Sequence, residues 1–186
     1  RSVTMDEIAS TLGISKKTIY LSFSDKEELV DAIFCSRMNE NQHDCVKDSE
    51  RAENAVHEVF LAWDRVSKML STMNPSILYD LQKYHPEVYK KYHHFKHGFM
   101  YKMISANIQR GIKEELYRED INIDILARMR IGTIMMSFNQ EIFPVQKYKP
   151  VEVEECLFLH FLQGLVTAKG LKIFQKYRQQ RLMQKV

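Results

Sequence analysis

The sequence predicts an all-α protein. Apolar residues recur at three- and four-residue spacing along nearly all of its 186 residues. Alternating apolar runs bounded by turn pairs are lacking. Gly13 and the four Pro fall between the periodic stretches, where they punctuate. Helices are expected at 5–12, 16–22, 25–46, 51–73, 76–84, 87–115, 123–142 and 152–179, with Gly13 between two short helices, Pro75 and Pro86 at helix starts, and Pro144 and Pro150 around a loop. Short helices come first and long ones follow, so a small head (residues 1–46) should stand on a larger helical body (47–186).

The first helix is announced by its cap. Thr4 and Glu7 have the spacing of a capping box, the Thr4 hydroxyl accepting from the Glu7 amide and the Glu7 carboxylate reaching back to the Thr4 amide. Val3 and Ile8 have the spacing of a hydrophobic staple, and Ile8, Ala9 and Leu12 make one apolar face. Gly13 gives the chain the freedom to leave that helix. Ser15 should cap the second helix, with Ile14 and Ile19 as its staple, and Ser24 with Glu27 should box the third. Two short helices joined by a three-residue turn containing Gly make a helix-turn-helix, although an ordinary helical hairpin has the same outline. Ala9 is small where the helices would cross, and Ile19 returns to the same core.

Ile19 and Phe23 are four apart and face inward. A turn of 100° per residue then sends Lys17 and Leu21, and partly Thr18 and Tyr20, outward. Lysines and hydroxyls bind phosphates, and an apolar side chain such as Leu21 can meet a thymine methyl in a major groove. A single surface leucine, taken alone, needs no such explanation.

The body carries two stretches that are apolar nearly all round, within 123–142 and 152–179. A helix apolar on every side is buried on every side. One side can face the core and the other a second copy, or both can belong to one thick core. The dimer reading assigns Phe158, Phe161, Leu162, Leu165 and Ala168 to the seam, with Gly164 and Ala168 allowing close approach. Trp63, Met69, Phe95, Phe99, Met103, Met135 and Phe138 are candidates for an adaptable apolar pocket, a composition that a plain core shares.

Other classes find little support. The net charge of +3 leaves nucleic-acid binding to a local patch. Cys35, Cys45 and Cys156 form no CxxC, which fits reduced thiols and a cytoplasmic protein. No apolar run reaches the roughly 18 residues of a membrane span. Nucleophile elbow, phosphate loop and dinucleotide fingerprint are all lacking, so neither a catalytic residue nor a cofactor is expected. His93 and His97 have helical ligand spacing but no third ligand, and a solvated basic face accounts for them, so no metal is assigned. The six Lys and Arg from Lys169 onward complement a helix C-terminus.

The segment TMDEIASTLGISKKTIYLSFSDKEELVDAIF resembles the DNA-binding head of the TetR (tetracycline-repressor, AcrR-like) family of bacterial regulators. The resemblance is carried by Thr4, Ile8–Ala9, Gly13–Ser15, Thr18–Tyr20, Phe23 and Lys26 to Leu29. In the body, NIQRGIKEELYREDINIDILA (107–127) resembles more loosely the family's turn between its seventh and eighth helices. The resemblance implies a three-helix head, a ligand-binding and dimerising body, and a homodimer on palindromic operator DNA. It implies that Thr4, Ser15, Lys16, Lys17, Thr18, Tyr20 and Lys26 lie at or near DNA, with Leu21 added from the outward face above. Lys17 stands where the family often has glycine, and the family carries a further helix ahead of the position of Arg1. The expected function is a ligand-responsive repressor with an apolar or aromatic small-molecule effector. The alternatives are a helical small-molecule- or partner-binding protein without DNA binding and, more remotely, an all-helical enzyme.

Overall fold

A computed structural model describes residues 3–74 and 76–184. The chain forms α1 (Met5–Leu12), α2 (Lys16–Tyr20), α3 (Lys26–Arg51), α4 (Ala55–Thr72), α5 (Ile77–Tyr84), α6 (Pro86–Phe95), α7 (Tyr101–Lys113), α8 (Ile123–Met136), α9 (Pro150–Leu165) and α10 (Ala168–Gln184). Pro75, expected at a helix start, lies outside the described residues.

The head forms as its caps dictate. Thr4 and Glu7 make the reciprocal capping box, and Gly13 leaves α1 in the left-handed conformation at φ 67°. Ser15 caps α2 by accepting from the Thr18 amide at 3.1 Å. Met5, Ala9, Ile19 and Leu29 are the head's buried core, with Ile8 and Phe23 packed on it. Two local expectations shift. The third helix is capped by Asp25 and not Ser24: Asp25 accepts from the Glu28 amide at 2.8 Å, while the Glu28 carboxylate accepts from the Ser24 amide and hydroxyl at 2.6 Å. Leu12, assigned to the apolar face, is 63% exposed, because the core draws on Met5, Ala9 and Ile8 instead.

α3 runs unbroken to Arg51, past the expected end at 46. Its last carbonyls are satisfied from α7: the Arg110 guanidinium donates to the Ser49 oxygen at 3.2 Å and the Ala52 oxygen at 2.8 Å. The same side chain pairs with Glu58 at 3.0 Å and Glu114 at 2.7 Å, and Glu114 accepts from the Ala55 amide that opens α4. One arginine thus fastens the end of α3, the start of α4 and the last turns of α7.

The stretch expected as one helix over 87–115 is continuous but holds a π-helical turn at Lys96–Met100, which joins α6 to α7 and rotates the faces of the two relative to each other. The helix expected over 152–179 is broken. Val166 is extended, and the chain there hydrogen-bonds to the segment after α7: the Arg118 amide donates to Leu165 and the Thr167 amide to Leu116, each at 2.9 Å. Gly170 lies under the Leu116 carbonyl, where a Cβ would collide with backbone. A β-branched Val-Thr pair accepts the extended conformation that these bonds need.

α4, α7, α8 and α9 pack in a ring, α4 on α7 and α9, α8 on α7 and α9, and α10 closes over α4. Phe60, Trp63, Ile108, Phe158 and Leu162 fill its interior, with Trp63 stacked on Phe158 at 5.3 Å and Phe60 edge-on to it at 5.6 Å. The expected dimer seam is corrected by this arrangement. Phe158, Phe161, Leu162 and Leu165 are buried within a single chain, because α9 turns them toward α4, and only Ala168 stands exposed. No described helix is long and apolar enough to cross a membrane.

Candidate nucleic-acid interface and the links to the body

α2 is held by its buried side, Ile19, and by the Ser15 cap, and it presents everything else outward. Lys16, Lys17 and Thr18 are exposed, Tyr20 is 44% exposed, and Leu21, just past the last turn, is 79% exposed. Thr4 is exposed at the start of α1, and Lys26 is half-buried at the start of α3. All eight candidate DNA residues therefore belong to the caps of α1 and α2, to α2 itself, to the turn after it or to the first residue of α3.

Several of these groups already have local partners. Lys16 Nζ bonds Asp6 at 2.9 Å, which raises its pKa above the ordinary lysine value, and lies 5.9 Å from the Tyr20 ring centroid. The Thr18 and Ser15 hydroxyls are 2.8 Å apart. Thr4 bonds Glu7, whose carboxylate is held below its usual pKa, first by the Thr4 amide and then by the Thr4 hydroxyl. Capping sets the direction of α1 and α2, so Thr4 and Ser15 position the surface as well as face it.

The head meets the body through α3 and α6. His85 Nδ1 pairs with Glu27, Lys91 Nζ bonds both Asp31 oxygens at 2.6 and 2.7 Å, and the Tyr92 ring lies edge-on to Phe34 at 6.0 Å. The Tyr92 hydroxyl donates to Met135 Sδ at 3.1 Å, and burial pushes its pKa far up, which keeps it a neutral donor. The three links between α3 and α6 join residues about 60 apart in sequence, and no local pattern announces them.

The candidate pocket residues are scattered. Trp63 is in the ring's core, Phe95 and Phe99 stack on each other at 5.5 Å, and Met103, Met135 and Phe138 are half-buried. Met69 is 40% exposed. The His93 and His97 rings lie 4.3 Å apart, and desolvation, then Lys96, lowers the His97 pKa. Among the described residues no group of three His, Cys, Asp or Glu side chains could hold a metal ion.

A short helix capped by Ser15, exposing two lysines, a tyrosine and a leucine on a helix-turn-helix joined to a helical body, defines a DNA-binding transcriptional regulator. Residues 1–33 match the family model for bacterial regulatory proteins of the tetR family. Over these first 33 residues the chain is similar to the bacterial regulatory proteins of the tetR family. It is 26% identical over 168 residues to the uncharacterized HTH-type transcriptional regulator YvaF of Bacillus subtilis, covering 88% of this chain and 86% of that one. Among solved structures, the transcriptional regulator FadR of Bacillus subtilis in complex with stearoyl-CoA superposes with a TM-score of 0.67 at 19% identity, over 87% of this chain and 88% of that one. The ketosteroid transcriptional regulator KstR2 of Mycobacterium tuberculosis does so with a TM-score of 0.61 at 17% identity, over 90% and 86%. All three are transcriptional regulators by name, and the two structures share this chain's fold.

Proposed function

We propose that the chain is a cytoplasmic, ligand-responsive repressor that binds a palindromic operator as a homodimer. Residues 1–46 form its DNA-binding unit, and residues 47–186 bind effector and partner. The observation that carries this reading is the exposed face of α2, with Lys17, Tyr20 and Leu21 turned to solvent beside a rigidly capped turn. In it Lys16, Lys17, Tyr20 and Lys26 bind phosphates, Thr4, Ser15 and Thr18 position them, and Leu21 meets a base edge.

The dimer face is taken from the outward sides of α8 and α9, in place of the buried residues first expected there. Ile125, Met129 and Gly132 are exposed at helical spacing on α8, and Cys156, His160 and Gly164 on α9. A Cβ on Gly132 or Gly164 would meet nothing, so both leave room for another backbone to come close. Apolar side chains in open solvent next to small residues suit a self-complementary two-fold contact.

Effector binding among α4, α7, α8 and α9 would favour one spacing of the two heads over another, through Glu27–His85, Asp31–Lys91 and Phe34–Tyr92. The solved FadR holding stearoyl-CoA supports an effector with a long apolar part. Titration of the full chain against a duplex selected from a random pool tests the reading. Affinity should fall about tenfold or more between 50 and 200 mM salt, as phosphate contacts release counterions. Weak binding that is indifferent to both sequence and salt would contradict it.

A further inference from the structure

The ring of α4, α7, α8 and α9 encloses a polar layer that its packing does not satisfy. Trp63 Nε1 on α4, the Ser105 hydroxyl on α7 and Glu154 Oε2 on α9 are buried with no hydrogen-bond partner among the described residues. Trp63 is 3% exposed and Glu154 is 0% exposed. The other Glu154 oxygen is held by Arg130 of α8, so each of the four helices contributes a polar group.

These groups share one level of the ring. Glu114 of α7 bonds the Ala55 amide of α4, and Arg110 pairs with Glu58, so the two helices run antiparallel. Five residues further along each, Ser105 comes level with Trp63. Trp63 stacks on Phe158, which is one turn from Glu154 on α9, and the Arg130 guanidinium lies 5.9 Å from the Phe158 ring. Buried polar groups without partners cost free energy, and a native fold keeps them where something else supplies the bonds.

We propose that this layer is the hydrogen-bonding subsite of the effector, and that it takes the uncharged polar group of an otherwise apolar molecule, one able both to donate and to accept, such as a hydroxyl or a carboxamide. The proposal rests on the ligand-responsive reading above. The indole N–H only donates and therefore asks for an acceptor. A carboxylate oxygen paired with Arg130 only accepts and asks for a donor, and the Ser105 hydroxyl can do either. A ligand carboxylate would bring a second negative charge beside Glu154, with Arg130 already committed. An ester satisfies the indole and leaves Glu154 without a donor. Trp63 lies against Phe158 with no gap between the rings, so an occupant enters by displacing side chains.

Trp63 is the only tryptophan in the chain, so its emission reports on the layer directly. The full chain is titrated with 1-decanol, methyl decanoate and decanoate, and DNA binding is followed in the same samples by the anisotropy of a labelled selected duplex. Decanol should change the emission at a concentration about tenfold below either of the others, the worth of one unpaired buried group. Ser105→Ala should weaken decanol about tenfold. Trp63→Phe, followed by calorimetry, should weaken decanol and methyl decanoate alike. Equal affinity for all three probes, no emission change with any of them, or binding indifferent to Ser105→Ala would overturn the proposal and leave the layer as hydrated core. A chain that binds DNA but fails these titrations sinks the subsite alone; one that passes them without binding DNA sinks the regulator reading and keeps the subsite.

Discussion

Met129→Arg is expected to give a folded monomer with at least about a hundredfold weaker operator binding, the loss that follows when two linked half-sites become one. Met129 is exposed on α8 beside the open space over Gly132, so arginine costs the single chain little. In a two-fold contact each residue meets the symmetry-related neighbourhood of its own copy. A like charge is then placed on both sides and desolvated without a partner. Gly164→Arg, on the neighbouring helix, should behave the same way. Phe161→Arg should behave differently: its side chain is inside the protomer, and the variant should unfold. Sedimentation and circular dichroism of the three variants separate the cases. A helical dimer from both Met129→Arg and Gly164→Arg would move the interface off this face, and a folded monomer from Phe161→Arg would restore the seam first expected on α9.

Arg130→Met is expected to destabilise the body by about 3–5 kcal/mol near neutral pH, because it strands a fully buried carboxylate. The double variant Arg130→Met/Glu154→Gln should recover most of that loss, since it removes the charge along with its partner. The pH dependence follows from Glu154. Burial raises its pKa above the ordinary 4.5, and Arg130 partly opposes the rise. The native state therefore binds a proton that the unfolded state has already released, so this group makes stability fall as pH climbs above about 4.5. The fall ends once pH passes the folded value. Without Arg130 the folded value rises further and the fall extends to higher pH; with Gln at 154 it disappears. Urea unfolding of the three proteins between pH 4 and 8 measures this. A pH-independent deficit in Arg130→Met would mean that Glu154 is not the group responsible.

The head could be read from the sequence because its signals are local. Thr4, Glu7, Gly13 and Ser15 act on backbone groups within four residues of themselves, and the structure uses each as the spacing implies. The cap of α3 slipped by one residue because Ser24 and Asp25 can both serve and Glu28 reaches back to Ser24. The body was legible only as helices. α9 is apolar nearly all round, and nothing in such a pattern says which side meets the same chain. That was settled by α4, whose Phe60 and Trp63 lie about a hundred residues away. The break at Val166 depends on bonds to Leu116 and Arg118, and the links between α3 and α6 depend on pairs such as Asp31–Lys91. The burial of Glu154 and Arg130 has no local signal either, because each is the other's partner from a different helix.

The central claim is that α2 and the turn after it read DNA, and selection of bound duplexes from a random pool tests it most directly. It is carried out on the full chain and on its Tyr20→Ala, Lys26→Ala and Leu21→Ala variants. The full chain should return a two-fold symmetric motif with half-site centres about one helical turn, or a multiple of it, apart. Tyr20→Ala and Lys26→Ala should return the same motif with weaker binding throughout. Leu21→Ala should relax the preference at one thymine in each half-site, by about 1–3 kcal/mol at most. An asymmetric or featureless pool from the full chain, or a Leu21→Ala motif unchanged at every position, would contradict the assignment of this surface to sequence recognition.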